Sequence, residues 1–140
     1  MNFLYPARIN VDADGRYFVQ FADIDEAITE GENQEEALFN AQEVLTLSLE
    51  GRLDEKMDIP LPSMIEGENI HYVAPSARVQ AALLIASTRR EKMSVAELAR
   101  SLQTSWPSAS KLENPRHSPS IRTLEKAANA LGRKLVLSFE

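Results

Sequence analysis

Seven carboxylates crowd one short stretch of this chain: Asp12, Asp14, Asp23, Asp25, Glu26, Glu30 and Glu32. Such a set could hold hard, oxygen-loving cations for the hydrolysis of a phosphodiester. The spacing argues for a different use. No nearby His or Lys completes an acid–base pair, and Asp12-x-Asp14-Gly15 lacks the third oxygen ligand that a calcium loop places before its glycine. Asp12 and Asp14 are better suited to a turn, where their side chains satisfy local backbone groups. The group as a whole reads as an acidic rim on which a basic protein could dock, with no cofactor and no metal required.

A second set has the chemistry of nucleic-acid contact. Thr104, Ser105, Ser108 and Ser110 carry hydroxyls that can bond base edges or phosphate, and Lys111 can serve guanine or backbone. Trp106 and Ala109 fall in the same stretch. At a helix start, Trp106 is read as half-buried packing ahead of a DNA contact, and both uses stay open. Arg100 and Arg116, together with Arg89, Arg90 and Arg122, are candidate phosphate contacts.

The charge is divided along the chain. Residues 1–75 hold 4 Lys+Arg against 16 Asp+Glu, net −12, whereas residues 76–140 hold 11 against 5, net +6. Two surfaces with different partners are the expectation, a cationic one for the first and a polyanion for the second. Cysteine is absent, which excludes a disulfide framework and a thiolate metal site. With no apolar run of membrane-spanning length and no signal-peptide pattern, the chain is expected to be soluble and cytoplasmic, without a membrane partner.

The elements that must position these residues are legible in outline. Phe3, Tyr5, Ala7, Ile9 and Val11 alternate as a half-buried strand does, and Tyr17, Val19 and Phe21 form its partner across Asp14-Gly15, a tight-hairpin pair. Asn33 with Glu36 in the capping-box position predicts a helix from about Gln34 to Leu49, ended by Gly51, with Ala37, Leu38, Ala41, Val44, Leu45 and Leu49 as its apolar stripe. Ile59-Pro60-Leu61-Pro62-Ser63 must be extended, and a short strand near Ile28 and another over Ile70–Val73 complete a small antiparallel sheet with one packed helix.

From Ser76 the pattern turns wholly helical. A helix to about Arg90 is followed by one that starts at Val95 under a Ser94/Glu97 capping box with a Met93–Leu98 staple. A third runs from Ser105 or Thr104 to about Glu113, with Pro107 tolerated in its first turn. A fourth, capped by Ser120, buries Ile121, Leu124, Ala127, Ala128 and Leu131 and ends at Gly132. The second and third have helix-turn-helix proportions, although the usual turn glycine is missing near Gln103, which predicts a longer or differently shaped turn. Lys134–Phe139 is a strand candidate with no partner in such a bundle, so it predicts a homodimer, or a higher homo-oligomer, matched to a palindromic operator. The expected fold is α+β in two domains, 1–75 and 76–140.

The order Tyr17 to Phe21, Asp23-Ile24-Asp25-Glu26-Ala27, Thr29-Glu30-Gly31-Glu32, Glu35-Glu36-Ala37-Leu38 with Ala41, and Ile59-Pro60-Leu61-Pro62-Ser63 resembles the HicB antitoxins. The branch it is most similar to carries a C-terminal helix-turn-helix of phage-repressor type ending in a strand. The resemblance implies a partial ribonuclease H layer without its catalytic set, a HicA-type mRNA-cleaving toxin as partner, and repression of the chain's own operon. Two other functions stay open on the residues alone: a transcriptional regulator whose acidic domain senses a small molecule, and a metal-dependent nuclease.

Overall fold

The computed structural model describes all of residues 1–140. The chain forms two compact units, Met1–Ala77 and Arg78–Glu140. No helix is long and apolar enough to cross a membrane.

The first unit is a four-stranded antiparallel sheet of β1 (Tyr5–Val11), β2 (Tyr17–Phe21), β3 (Ile28–Gly31) and β4 (Ile70–Val73) in the order β3-β2-β1-β4. Helix α1 (Gln34–Asp54) connects β3 to β4. The β1–β2 hairpin closes through Asp12 N–H to the Arg16 carbonyl and Gly15 N–H to the Asp12 carbonyl, with Gly15 at φ +81°. Alternation then sorts the side chains. Tyr5, Ala7, Ile9, Val19, Phe21 and Val73 are buried on the face that α1 covers with Ala37, Ala41, Leu45 and Leu49. That packing is close at the helix start, where a Cβ on Gly31 would lie 2.5 Å from the Ala37 nitrogen. Only glycine fits there.

Helix α1 starts as expected, with the Asn33 side chain accepting from Glu36 N–H at 2.8 Å. The reciprocal bond is shifted by one residue: Glu36 accepts from Glu32 N–H at 3.4 Å. The expected stop at Gly51 is wrong, since the helix continues to Asp54. Its end is a Schellman cap in which Met57 N–H reaches the Arg52 carbonyl and Lys56 N–H the Leu53 carbonyl, with Lys56 itself at φ 55°.

The second unit comprises α2 (Ala77–Lys92), α3 (Val95–Ser101), α4 (Trp106–Lys111) and α5 (Ile121–Ala130). Ile85, Leu98, Leu112, Ala127 and Leu131 make its core, and Met93, Leu102, Leu124 and Ala130 close around it. The capping box of Ser94 and Glu97 is formed, and Ser105 and Ser120 cap α4 and α5. Gly132 takes φ 73° and ends α5, as its sequence position implied. Ile121, expected in the core, is exposed at the first position of α5.

One expected element is not formed. Residues 134–139 make no strand, and Val136, Leu137 and Phe139 are exposed. A strand exists only when hydrogen-bonded to a neighbour, and no strand of this chain lies beside it.

Candidate functional site

The connection between α3 and α4 is built from backbone geometry that usually calls for glycine. Leu102 caps α3, Gln103 follows in the left-handed region at φ 54°, Thr104 N–H bonds the Ala99 carbonyl at 2.9 Å and Gln103 N–H the Arg100 carbonyl at 3.1 Å. This is a Schellman motif with glutamine in the glycine position. The turn is therefore neither longer nor of a different shape, contrary to the expectation drawn from the missing glycine. Gln103 supplies the conformation at an energetic cost.

The turn delivers six consecutive exposed residues, Gln103 to Ser108, at the front of α4. Ser105 accepts from Ser108 N–H at 3.2 Å, and the two hydroxyls bond each other at 3.0 Å, so the cap orients both. Lys111, Arg100 and Arg116 are exposed, and Ser110 is half-buried. Trp106 is 55 % exposed, close to the half-buried state expected of it, and Ala109 and Leu112 supply the buried side of this short helix. Ala109, placed among the DNA-facing residues on sequence, is fully buried and cannot touch a ligand. Arg89 is corrected too. Its guanidinium forms a two-pronged bond to Glu113, donates to the Met93 carbonyl at 3.1 Å, and is only 13 % exposed, so it ties α2 to the end of α4 and does not face solvent.

The seven carboxylates of the first unit do not form one rim. Strand register puts Asp12, Asp14, Glu30 and Glu32 at the hairpin end of β2, where Tyr17 pairs with Gly31, and Asp23, Asp25 and Glu26 at its other end. Four are tied within the chain. Asp12 accepts from Asp14 N–H and Arg16 N–H, both at 2.9 Å, and Glu30 pairs with Arg16 at 3.0 Å. Asp23 accepts from the Ser63 N–H at 2.9 Å and from the Ser63 hydroxyl. Glu26 takes two bonds from Arg52, at 2.7 and 2.8 Å, and these hold its carboxyl down at about 2. No group of three or more His, Asp or Glu side chains is arranged to hold a metal ion.

Sequence reasoning missed how residues 57–65 are strapped down. Tyr5 donates to the Pro60 carbonyl at 2.8 Å, from a phenol that burial pushes well above its usual range and so keeps protonated. The Asp23–Ser63 tether follows, and the Tyr72 hydroxyl then accepts from Ile65 N–H at 2.8 Å and donates to the Ile65 carbonyl at 2.7 Å. The prolines announced an extended segment; only its partners, up to 55 residues away, were hidden.

Set against known proteins, residues 4–80 match the model of the HicB-like antitoxins of bacterial toxin–antitoxin systems, and residues 88–137 match a helix-turn-helix model. The chain belongs to the HicB antitoxin family. Antitoxin HicB 2 of Photorhabdus laumondii is 36 % identical over 97 % of this chain and 96 % of its own length. Antitoxin HicB 1 of the same organism is 32 % identical over 99 % of this chain and 88 % of its own. Antitoxin HicB of Escherichia coli K12 is 30 % identical over 95 % and 96 %. The HicB-like antitoxin segment takes in all four strands and α1, and the helix-turn-helix segment takes in α3, α4 and α5. This is an antitoxin with a DNA-binding helix-turn-helix unit.

Proposed function

We propose that the N-terminal unit binds and neutralises a HicA-type mRNA-cleaving toxin, while the C-terminal unit binds operator DNA and represses the operon that encodes both. The observation that carries this reading is the joining, in one chain, of a HicB-type unit of net charge −12 to a basic unit whose turn projects Gln103–Ser108 into solvent.

Toxins that cut RNA need a cationic surface for phosphate, and an anionic protein competes for it by steering and complementarity. Asp14, Asp25 and Glu32 lie outside the in-chain contacts above and supply charge at the edges. On the DNA side, α4 enters the major groove and α3 crosses the backbone. Thr104, Ser105, Trp106, Ser108, Ser110 and Lys111 face the duplex, with Arg100 and Arg116 on phosphates. The exposed 134–139 segment pairs with its copy in a second chain, giving a homodimer suited to a palindromic site.

Duplexes tiled across the region upstream of the gene test the DNA half by gel shift. One tile should shift with steep salt dependence, whereas equal weak binding of all tiles would contradict operator recognition. Mixing the chain with the purified toxin and an RNA tests the other half, with protection expected at one antitoxin per toxin.

A further inference from the structure

We infer that Phe18, Ile28 and Tyr72 on the outward face of the N-terminal sheet, together with the strap residue Met64, are the apolar contacts of the surface that seats a cationic protein. This rests on the antitoxin reading and specifies where the partner lands.

An antiparallel sheet with one face on its core normally turns polar side chains to water on the other. Here the solvent face breaks that pattern in part: among Arg8, Asn10, Gln20 and Glu30 it also carries large apolar side chains. Phe18 of β2, Ile28 of β3 and Tyr72 of β4 are 43 %, 56 % and 45 % exposed. Phe18 pairs with Glu30 and Gln20 with Ile28, so Phe18 and Ile28 are diagonal neighbours on one face. Tyr72 is fixed by the two hydrogen bonds of its hydroxyl to Ile65. On the strap, Ser63 is tethered to Asp23 and Ile65 to Tyr72, yet Met64 between them is 96 % exposed. A methionine held out by anchors on both sides packs on nothing in its own chain. Such a side chain is adaptable contact surface presented in advance, so little ordering is required when a partner arrives.

Charge selects the occupant. The carboxylate groups lie at both ends of the strands and flank these apolar contacts, in a unit with 16 Asp+Glu against 4 Lys+Arg. An apolar centre with a charged rim is the ordinary anatomy of a specific interface. A second copy of the same acidic unit would be repelled from it, and so would a nucleic acid. A cationic protein is attracted. The rim then sets how fast the partner arrives, and the apolar centre how long it stays.

The test measures binding kinetics of the full chain with the purified toxin of its own module at two salt concentrations. Phe18→Ser with Ile28→Ser, and separately Met64→Ser, should each raise the dissociation rate tenfold or more and leave association nearly unchanged. Asp14→Asn with Asp25→Asn and Glu32→Gln should instead slow association and flatten its salt dependence. These positions are exposed, so circular dichroism and operator binding by the other unit should be unaltered. Unchanged dissociation in the apolar variants overturns the inference while the antitoxin reading stands. A drop in the chain's own oligomeric mass in those variants overturns it in favour of a second copy as occupant. No toxin binding by the unsubstituted chain overturns both.

Discussion

Replacing Arg89 with methionine should destabilise the helical unit by about 3 kcal/mol, because it leaves a carboxylate largely out of water without its partner. The Glu113 side chain is 16 % exposed and Arg89 13 %, so water can relieve only part of that penalty. The Met93 carbonyl also loses a donor. Removing both charges, in Arg89→Met with Glu113→Leu, should restore stability to within about 1 kcal/mol of the parent, since an apolar pair can replace a buried ion pair. Urea unfolding reads this directly, followed by circular dichroism and by Trp106, the single tryptophan, which reports on the helical unit alone. The double variant also separates scaffold from DNA contact. If Arg89 never touches phosphate, the salt dependence of operator binding keeps its slope, whereas one lost phosphate contact would lower that slope by about 0.9. A single-variant cost below about 1 kcal/mol, or a shallower salt slope in the folded double variant, would refute the assignment of Arg89 as an internal clamp.

Gly31→Ala should cost about 1–3 kcal/mol by overpacking, because the new methyl meets α1 backbone that cannot move away, and a thermal melt of the sheet unit will show it. Gln103→Gly should stabilise the helical unit by about 1 kcal/mol by relieving the left-handed residue, without loss of operator binding. Glu26 has its folded carboxyl held at about 2, below the unfolded value of about 4.3, so its pairing with Arg52 stabilises the fold above the unfolded value. That stability is lost as pH falls from about 4 to 2. The Glu26 side chain is 46 % exposed, so the effect at neutral pH is discounted to about 1 kcal/mol. Glu26→Gln should accordingly flatten stability between pH 5 and pH 2 in acid titrations.

Features encoded within a few residues were legible before the fold was known. Asp14-Gly15, Asn33 with Glu36, Ser94 with Glu97, and Gly132 each specify a local backbone state, and each forms. Features settled by residues far apart were not. Gly51 looked like a stop, but Lys56 provides it, and Gln103 does a glycine's work in the recognition turn. Arg89 read as a phosphate contact because its partner is 24 residues away. The tether of Asp23 was hidden because Ser63 is 40 residues away. Ala109 sits in a polar stretch, and its burial follows from helical spacing with Leu112. The solvent-facing Phe18 was visible in the alternation of β2, but its meaning required knowing that α1 covers the opposite face. The strand expected at 134–139 is not formed, since no strand of the same chain stands beside it to supply the hydrogen bonds.

RNA cleavage by the toxin of the same module, titrated with the full chain in the presence and absence of saturating operator duplex, tests the division of labour between the two units most directly. The account predicts intact RNA at one antitoxin per toxin, with the same titration curve when the duplex is bound. Cleavage that persists at saturating antitoxin, or that returns when the duplex is added, would contradict it.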